Sequence, residues 1–366
     1  MKRLLSLGTL LLGLAACSSD VVIQDAQELK GQQKVKSWTV DASGDVNLTG
    51  DLEIISEGDI VVNGSISARD RGTFKVTLTS QKGSISIGDT GSITTPQGLS
   101  GVSETGTFNV KGGEAKDGGD IVISAVNGTV TISGTIIAGD GGTGGSATAS
   151  AAGSLVTAIS GGQGDGGNIE IYAGGLITIS GDVKSGSGQL SGTATATNTA
   201  ADGRAEATSA ASGSGGDITV ESFTNTITLT SDADIVAGRG GFGSAATARA
   251  DNANAFIEDA GDGGDIKFTV AAGMKPNLPT GGSKFQTNEG GSTGPSNAHG
   301  TAYAEASSGS GGLAGAYKGV ATGIKPKAGS SGTAIANIPG RPQERDDAIE
   351  GTVAKAGGRT TAVNRP

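Results

Sequence analysis

The sequence predicts an all-β chain wound as a right-handed parallel β-helix, with a Gly/Ala/Thr-rich insert in each repeat of about 48 residues. Three observations predict it. A Gly-Gly-Asp/Asn-Ile unit recurs as Gly118-Gly119-Asp120-Ile121, Gly166-Gly167-Asn168-Ile169, Gly215-Gly216-Asp217-Ile218 and Gly263-Gly264-Asp265-Ile266, its Asp/Asn positions 48, 49 and 48 residues apart. Self-similarity at one period marks a solenoid or array. Each unit runs into alternating β-branched residues, the pattern of a half-buried strand. Glycine accounts for 67 of 366 residues and aromatics for 3%, so a core of large side chains is excluded and a thin, repeated one is left.

The elements follow in order. The first strand of each repeat places two apolar columns inward, Phe74, Ile121, Ile169, Ile218, Ile266 and Val76, Ile123, Ile171, Val220, Phe268. The second strand is Val130-Thr131-Ile132, Ile177-Thr178-Ile179 and Ile227-Thr228-Leu229, with earlier copies at Ile60-Val61-Val62 and Ile85-Ser86-Ile87. The third follows a Gly or Asp-Ala turn, as in Gly134-Thr135-Ile136, Gly181-Asp182-Val183 and Asp234-Ile235-Val236. Glycine at these corners is expected to supply φ > 0. Stacked rungs would lie ~4.8 Å apart and pair each strand with its copy. Each buried Ile or Val would contribute roughly 1.5–3 kcal/mol. One rung per repeat gives a body of roughly 30 Å and two give about 60 Å.

The rest of each repeat alternates small residues: Ser146-Ala147-Thr148-Ala149-Ser150, Thr193-Ala194-Thr195-Ala196-Thr197, Ala246-Thr247-Ala248-Arg249-Ala250 and Thr301-Ala302-Tyr303-Ala304-Glu305. A flexible linker has no reason to alternate, so these segments are expected as narrow strands in a second rung or a hairpin. The units assign residues 1–16 to a leader, 17–36 to a tether or cap, 37–324 to the repeats and 325–366 to a C-terminal cap or tail. Trp38 is expected to cover the open N-terminal end. Residues 271–300, with Pro276, Pro279 and Pro295, are expected to be irregular.

The N-terminus carries Lys2 and Arg3, an apolar run from Leu4 to Ala16, and Cys17, the sole cysteine. The run is too short to span a bilayer, which needs about 20 residues, and has the layout of a secretory leader. Leu14-Ala15-Ala16-Cys17 resembles a bacterial lipobox. The resemblance implies cleavage before Cys17, a diacylglycerol thioether on its sulfur, acylation of the new N-terminus, and attachment to the cell envelope. Ser18 stands where an inner-membrane retention Asp would be, which implies the outer membrane in a cell that has one. A single cysteine excludes intramolecular disulfides and thiolate metal sites. The net charge of −10, more negative once Lys2 and Arg3 leave, does not suit nucleic acid. Anchoring therefore falls to acyl chains.

The GGDIxI…GxIxIxGxI units, from about Gly44 to Val270, resemble the β-helical bodies of filamentous-haemagglutinin-like adhesins. The resemblance implies a non-enzymatic surface role without cofactors, with a glycan, matrix or neighbouring cell as partner.

The residues that carry chemistry are few. Asp120, Asp217 and Asp265, with Asn168, would stack in one column. Asp and Asn at turns bond local backbone; a Ca²⁺ ion bridging the column is the alternative use. His299, the sole histidine, sits in Asn297-Ala298-His299-Gly300 and is expected on an exposed turn. Asp346 and Asp347 form a carboxylate pair of the kind glycosidases use, but among Arg341, Arg345 and Glu350 they are expected as solvated charge. The function expected is thus a lipid-anchored envelope or surface protein, adhesin-like or structural. A polysaccharide lyase or glycosidase is the alternative, by analogy of fold. An ice- or surface-binding module is the second, suggested by the Thr-Ala alternation at 193–197 and weakened by the Ala, Gly and Ser expected at the matching positions.

Overall fold

In a computed structural model, residues 19–277, 284–286, 288–299, 303–308, 317–318, 334–337 and 360–364 are described. Every regular element among them is a strand, and nearly all pairing is parallel. Each full repeat contributes five strands, two to the largest sheet and one to each of the other three, so a repeat is one layer of a stack.

The first sheet takes Asp20–Ile23, Ser37–Val40, Ile60–Val62, Ile85–Ile87, Val130–Ile132, Ile177–Ile179 and Ile227–Leu229. Seven strands at ~4.8 Å give a height of roughly 29 Å. The first and third strand columns fuse into one larger sheet through Asp45–Ser56, whose early residues pair with Ser65–Ala68 and whose later ones pair with Val76–Ser80. These two sheets enclose an aliphatic lobe. Ile121, Ile123, Val130, Ile132, Ile136, Ile169, Ile171 and their stacked equivalents are fully buried there. The registers Ile121↔Ile169↔Ile218↔Ile266 and Ile123↔Ile171↔Val220↔Phe268 are those expected.

A second lobe begins after Thr95. Its two sheets are built from Glu104–Gly106, Ala147–Ala151, Ala194–Asn198, Ala246–Arg249, Ser296–His299 and Ala334–Asn337, and from Asn109–Lys111, Leu155–Ile159, Arg204–Ser209, Asn252–Ile257 and Tyr303–Ser308, the last closed antiparallel by Thr360–Asn364. Its core is almost entirely alanine: Ala147, Ala149, Ala194, Ala196, Ala205, Ala207, Ala246, Ala248, Ala253 and Ala255.

The glycine-rich segments between the lobes are regular although they are not strands. In residues 112–119, the N–H groups of Gly112, Ala115 and Gly118 donate to carbonyls of the next layer, Ile159, Gly162 and Asp165, while Gly113, Lys116 and Gly119 donate across to Val102, Leu99 and Pro96. The returning segment repeats the scheme: Gly141 and Gly144 donate to the next layer, at Ser187 and Leu190, and Gly139, Gly142 and Gly145 donate across, to Gly119, Lys116 and Gly113. Three residues per turn is the period of a polyproline II helix. Two walls of such segments, stapled by the zigzag Gly139→Gly119, Gly167→Gly139, Gly186→Gly167, Gly216→Gly186, Gly238→Gly216 and Gly264→Gly238 at 2.8–3.2 Å, form the web between the lobes.

Several expectations change. Glycine is not there for φ > 0: among the described glycines only Gly31 and Gly273 take it. It is there because the walls leave no room for Cβ; one built at Gly167 would lie on the Gly119 carbonyl, 2.7 Å from its carbon. The first copy of the repeat shifts by two residues, because Val76 pairs with Ile121 and Leu78 with Ile123, leaving Phe74 packed beside the core. The shift keeps the same side chains inward. Trp38 is fully buried between Val21 and Ile60 rather than covering the end. The segment expected as tether or cap contains Asp20–Ile23 and Ala26–Val35, both paired into the sheets. The region of Pro276 and Pro295 contains Lys284–Gln286 and Ser296–His299. Ser296–His299, not the segment at Tyr303, continues the Ala147–Ala194–Ala246 column, and Tyr303 pairs with Asn252.

Candidate functional site

The Asp/Asn column is a hydrogen-bond ladder. Asp120 Oδ1 accepts the Asn168 N–H at 2.8 Å, Asn168 Oδ1 accepts that of Asp217 at 2.7 Å, and Asp217 Oδ1 accepts that of Asp265 at 2.7 Å. This completes a three-position code in the glycine walls. The first residue donates to the next layer and the second donates across. The third donates to the side-chain oxygen of its own copy one layer below. The code explains Gly-Gly-Asp: at Gly119, Gly167 and Gly216 a Cβ at the second position would strike neighbouring backbone, and an oxygen-bearing side chain serves the third. Asp117 and Asp165 repeat it toward Asp165 and Ser214, Asp140 serves Ser187, and Ser103 and Ser146 serve Ser146 and Thr193. Glu114 Oε2 accepts the Gly162 N–H at 2.7 Å, while Oε1 pairs with Lys111 at 3.0 Å. The Lys111 ammonium holds the Glu114 carboxyl below its ordinary value, helped by the Gly162 amide. Among the described residues no three His, Cys, Asp or Glu side chains are grouped to hold a metal ion.

His299 ends a strand instead of occupying a turn, beside Arg249 and Asn337. Burial, and then the Arg249 charge, push its pKa below the usual 6.5. With Thr197, Asn198, Arg249 and Asp251 it lines an open cleft of ≈ 550 Å³ at the tip of the alanine lobe. Asn198 shapes that tip, donating to the Gly153 and Arg204 carbonyls at 2.8 and 2.9 Å.

The outward faces are repetitive. On the alanine lobe Thr105, Thr148, Thr195 and Thr247 stand in one column, continued by Asn297. Ser146 and Thr193 flank it, joined at 3.1 Å, as do Ser150 and Thr197. Within the run 193–197 only Thr195 meets threonine on both sides; Thr193 meets Ser146, and Thr197 lies between Ser150 and Arg249. On the aliphatic lobe Thr131, Thr178 and Thr228 stack likewise. Cys17, Asp346 and Asp347 lie outside the described residues.

No family model matches the chain, and no curated protein or solved structure matches it.

Proposed function

We propose that this chain is a lipid-anchored envelope protein whose body is a right-handed parallel β-helix with a two-lobed cross-section, serving attachment or spacing rather than catalysis. Right-handed winding is the sense that crossovers between parallel strands of one sheet take. The observation that carries the functional reading is the repetition of one small polar residue type along outward columns, as at Thr131, Thr178 and Thr228. Such a face suits many weak contacts to an extended partner, a glycan, matrix or neighbouring cell. Clustering by acyl chains on Cys17 would multiply them. Cys17 precedes the first strand at Asp20 by three residues, so the anchor would hold the N-terminal end of the stack within about 10 Å of the lipid. Deletion of the protein should reduce adhesion, aggregation or envelope integrity, and protease shaving of intact cells should release the body. A deletion strain that adheres and withstands envelope stress like its parent overturns the reading.

A second reading rests on the Thr105–Thr247 column. With Ser146 and Thr193 on one side and Ser150 and Thr197 on the other, bounded by Arg249, it makes a patch of hydroxyls of the kind that could order water against ice. Measurable thermal hysteresis, abolished by Thr148→Lys and Thr195→Lys together, would support it; none would dismiss it.

A further inference from the structure

The outer face of the aliphatic lobe carries one aromatic platform. Tyr172 and Phe223 lie on adjacent layers with ring centroids 6.4 Å apart and planes within 12°. Phe223 is 56% exposed and Val126, two layers before it, 51%. Between Val126 and Phe223 the same column passes through Gly174, whose amide donates to Ala125 as that of Phe223 donates to Ala173. A side chain at 174 would strike the Val126 carbonyl, so the floor of this slot stays bare. Layer spacing puts its two walls roughly 9.6 Å apart at Cα. Tyr172 closes one end. Its hydroxyl donates to Glu170 Oε2 at 3.2 Å, which fixes the ring, and Glu221 pairs alongside it.

We propose that this slot binds the pyranose rings of a neutral glycan. The nearly parallel ring faces match the C–H face of a sugar. The Glu170 and Glu221 carboxylates beside them accept ligand hydroxyls and repel acidic glycans. The chain has only 3% aromatics, and here two of them meet on an outward face whose neighbouring columns carry Glu170, Thr219 and Lys267 and Ser124, Glu221 and Thr269. The site gives a substrate class to the attachment role proposed above and rests on that reading for its purpose, though its geometry does not depend on the lipid anchor.

The test is saturation-transfer NMR on the mature chain with cellohexaose and laminarihexaose as probes. At least one should receive saturation at its ring C–H protons. Phe223→Ala should weaken that binding about tenfold, as removal of one aromatic contact does, with unchanged melting. Glu170→Gln and Glu221→Gln should weaken it several-fold. No transfer to either sugar, undiminished transfer in Phe223→Ala, or binding of tetramethylammonium in place of the sugars overturns the proposal. A Phe223→Ala strain that adheres normally would sink the site alone, whereas normal adhesion of the deletion strain would sink the attachment reading.

Discussion

Gly167→Ala tests the glycine web. Gly167 holds the second position of its triplet; its N–H donates to Gly139 at 2.8 Å and its carbonyl accepts from Gly186 at 2.9 Å. A Cβ there would overlap the Gly119 carbonyl, lying 2.7 Å from its carbon, where ordinary contact begins at 3.4 Å. The two walls must part by roughly 1 Å, and dispersion contacts fall off over that distance. Overpacking costs typically 1–3 kcal/mol, and loss of the two bonds adds about 1 kcal/mol each. The variant should therefore lose about 3–5 kcal/mol. Gly50→Ala is the control, because its Cβ would meet only the Lys30 side chain, Cβ at 3.4 Å and Cδ at 3.6 Å. Urea unfolding followed by far-UV circular dichroism compares the two. If Gly167→Ala unfolds within ~0.5 kcal/mol of wild type, as surface substitutions do, the glycines are not confined by neighbouring backbone and the web is wrongly described.

Further outcomes follow from the same contacts. Asn168→Ala should cost about 0.5–1.5 kcal/mol and speed amide exchange at Asp217, whereas Asn168→Asp keeps the acceptor and should change neither much. Ile171→Asp places an unpaired carboxylate between Ile123 and Val220 in a fully buried column and should abolish the cooperative melt; wild-type melting would refute the ladder. His299, with its folded pKa lowered, binds its proton less readily folded than unfolded. Its contribution is present above about pH 6.5 and is lost as pH falls through the folded value. Its NMR titration midpoint should lie below 6.5, and a midpoint above that would reverse the sign. Cys17→Ala should leave an uncleaved, unacylated precursor; mature membrane-bound protein in that variant would exclude lipidation at Cys17.

The aliphatic columns were legible because β-branched residues at period two, repeated every 48, leave one register that buries them all. Phe74 misled because a two-residue slip preserves the inward face, so parity alone could not choose between Phe74 and Val76. The web was not legible in the same way. Its signal is a period of three, seen in Gly139, Gly142, Gly145 and in Gly161, Gly164, Gly167, and it hides inside general glycine richness. The Gly-Gly-Asp motif was visible, but the use of its Asp was not, since the acceptor serves an amide 48 residues on. The same distance hid the threonine column: pairing Thr148 with Thr195 and Thr247 needs a register in which Ser296–His299, not the segment at Tyr303, comes next. The platform of Tyr172 and Phe223 escaped notice because the two residues lie 51 apart and meet only through the stack.

One turn per repeat is the claim on which the rest depends. Spin labels at Thr39 and Thr228, in a Cys17→Ser background, sit on one outward column with Val61, Ser86, Thr131 and Thr178 between them. Five layer spacings predict a Cα separation of about 24 Å. A narrow distance distribution by pulsed electron paramagnetic resonance near that value is the expected result. A separation beyond about 35 Å, as two turns per repeat would give, or a broad distribution without a maximum, would contradict it.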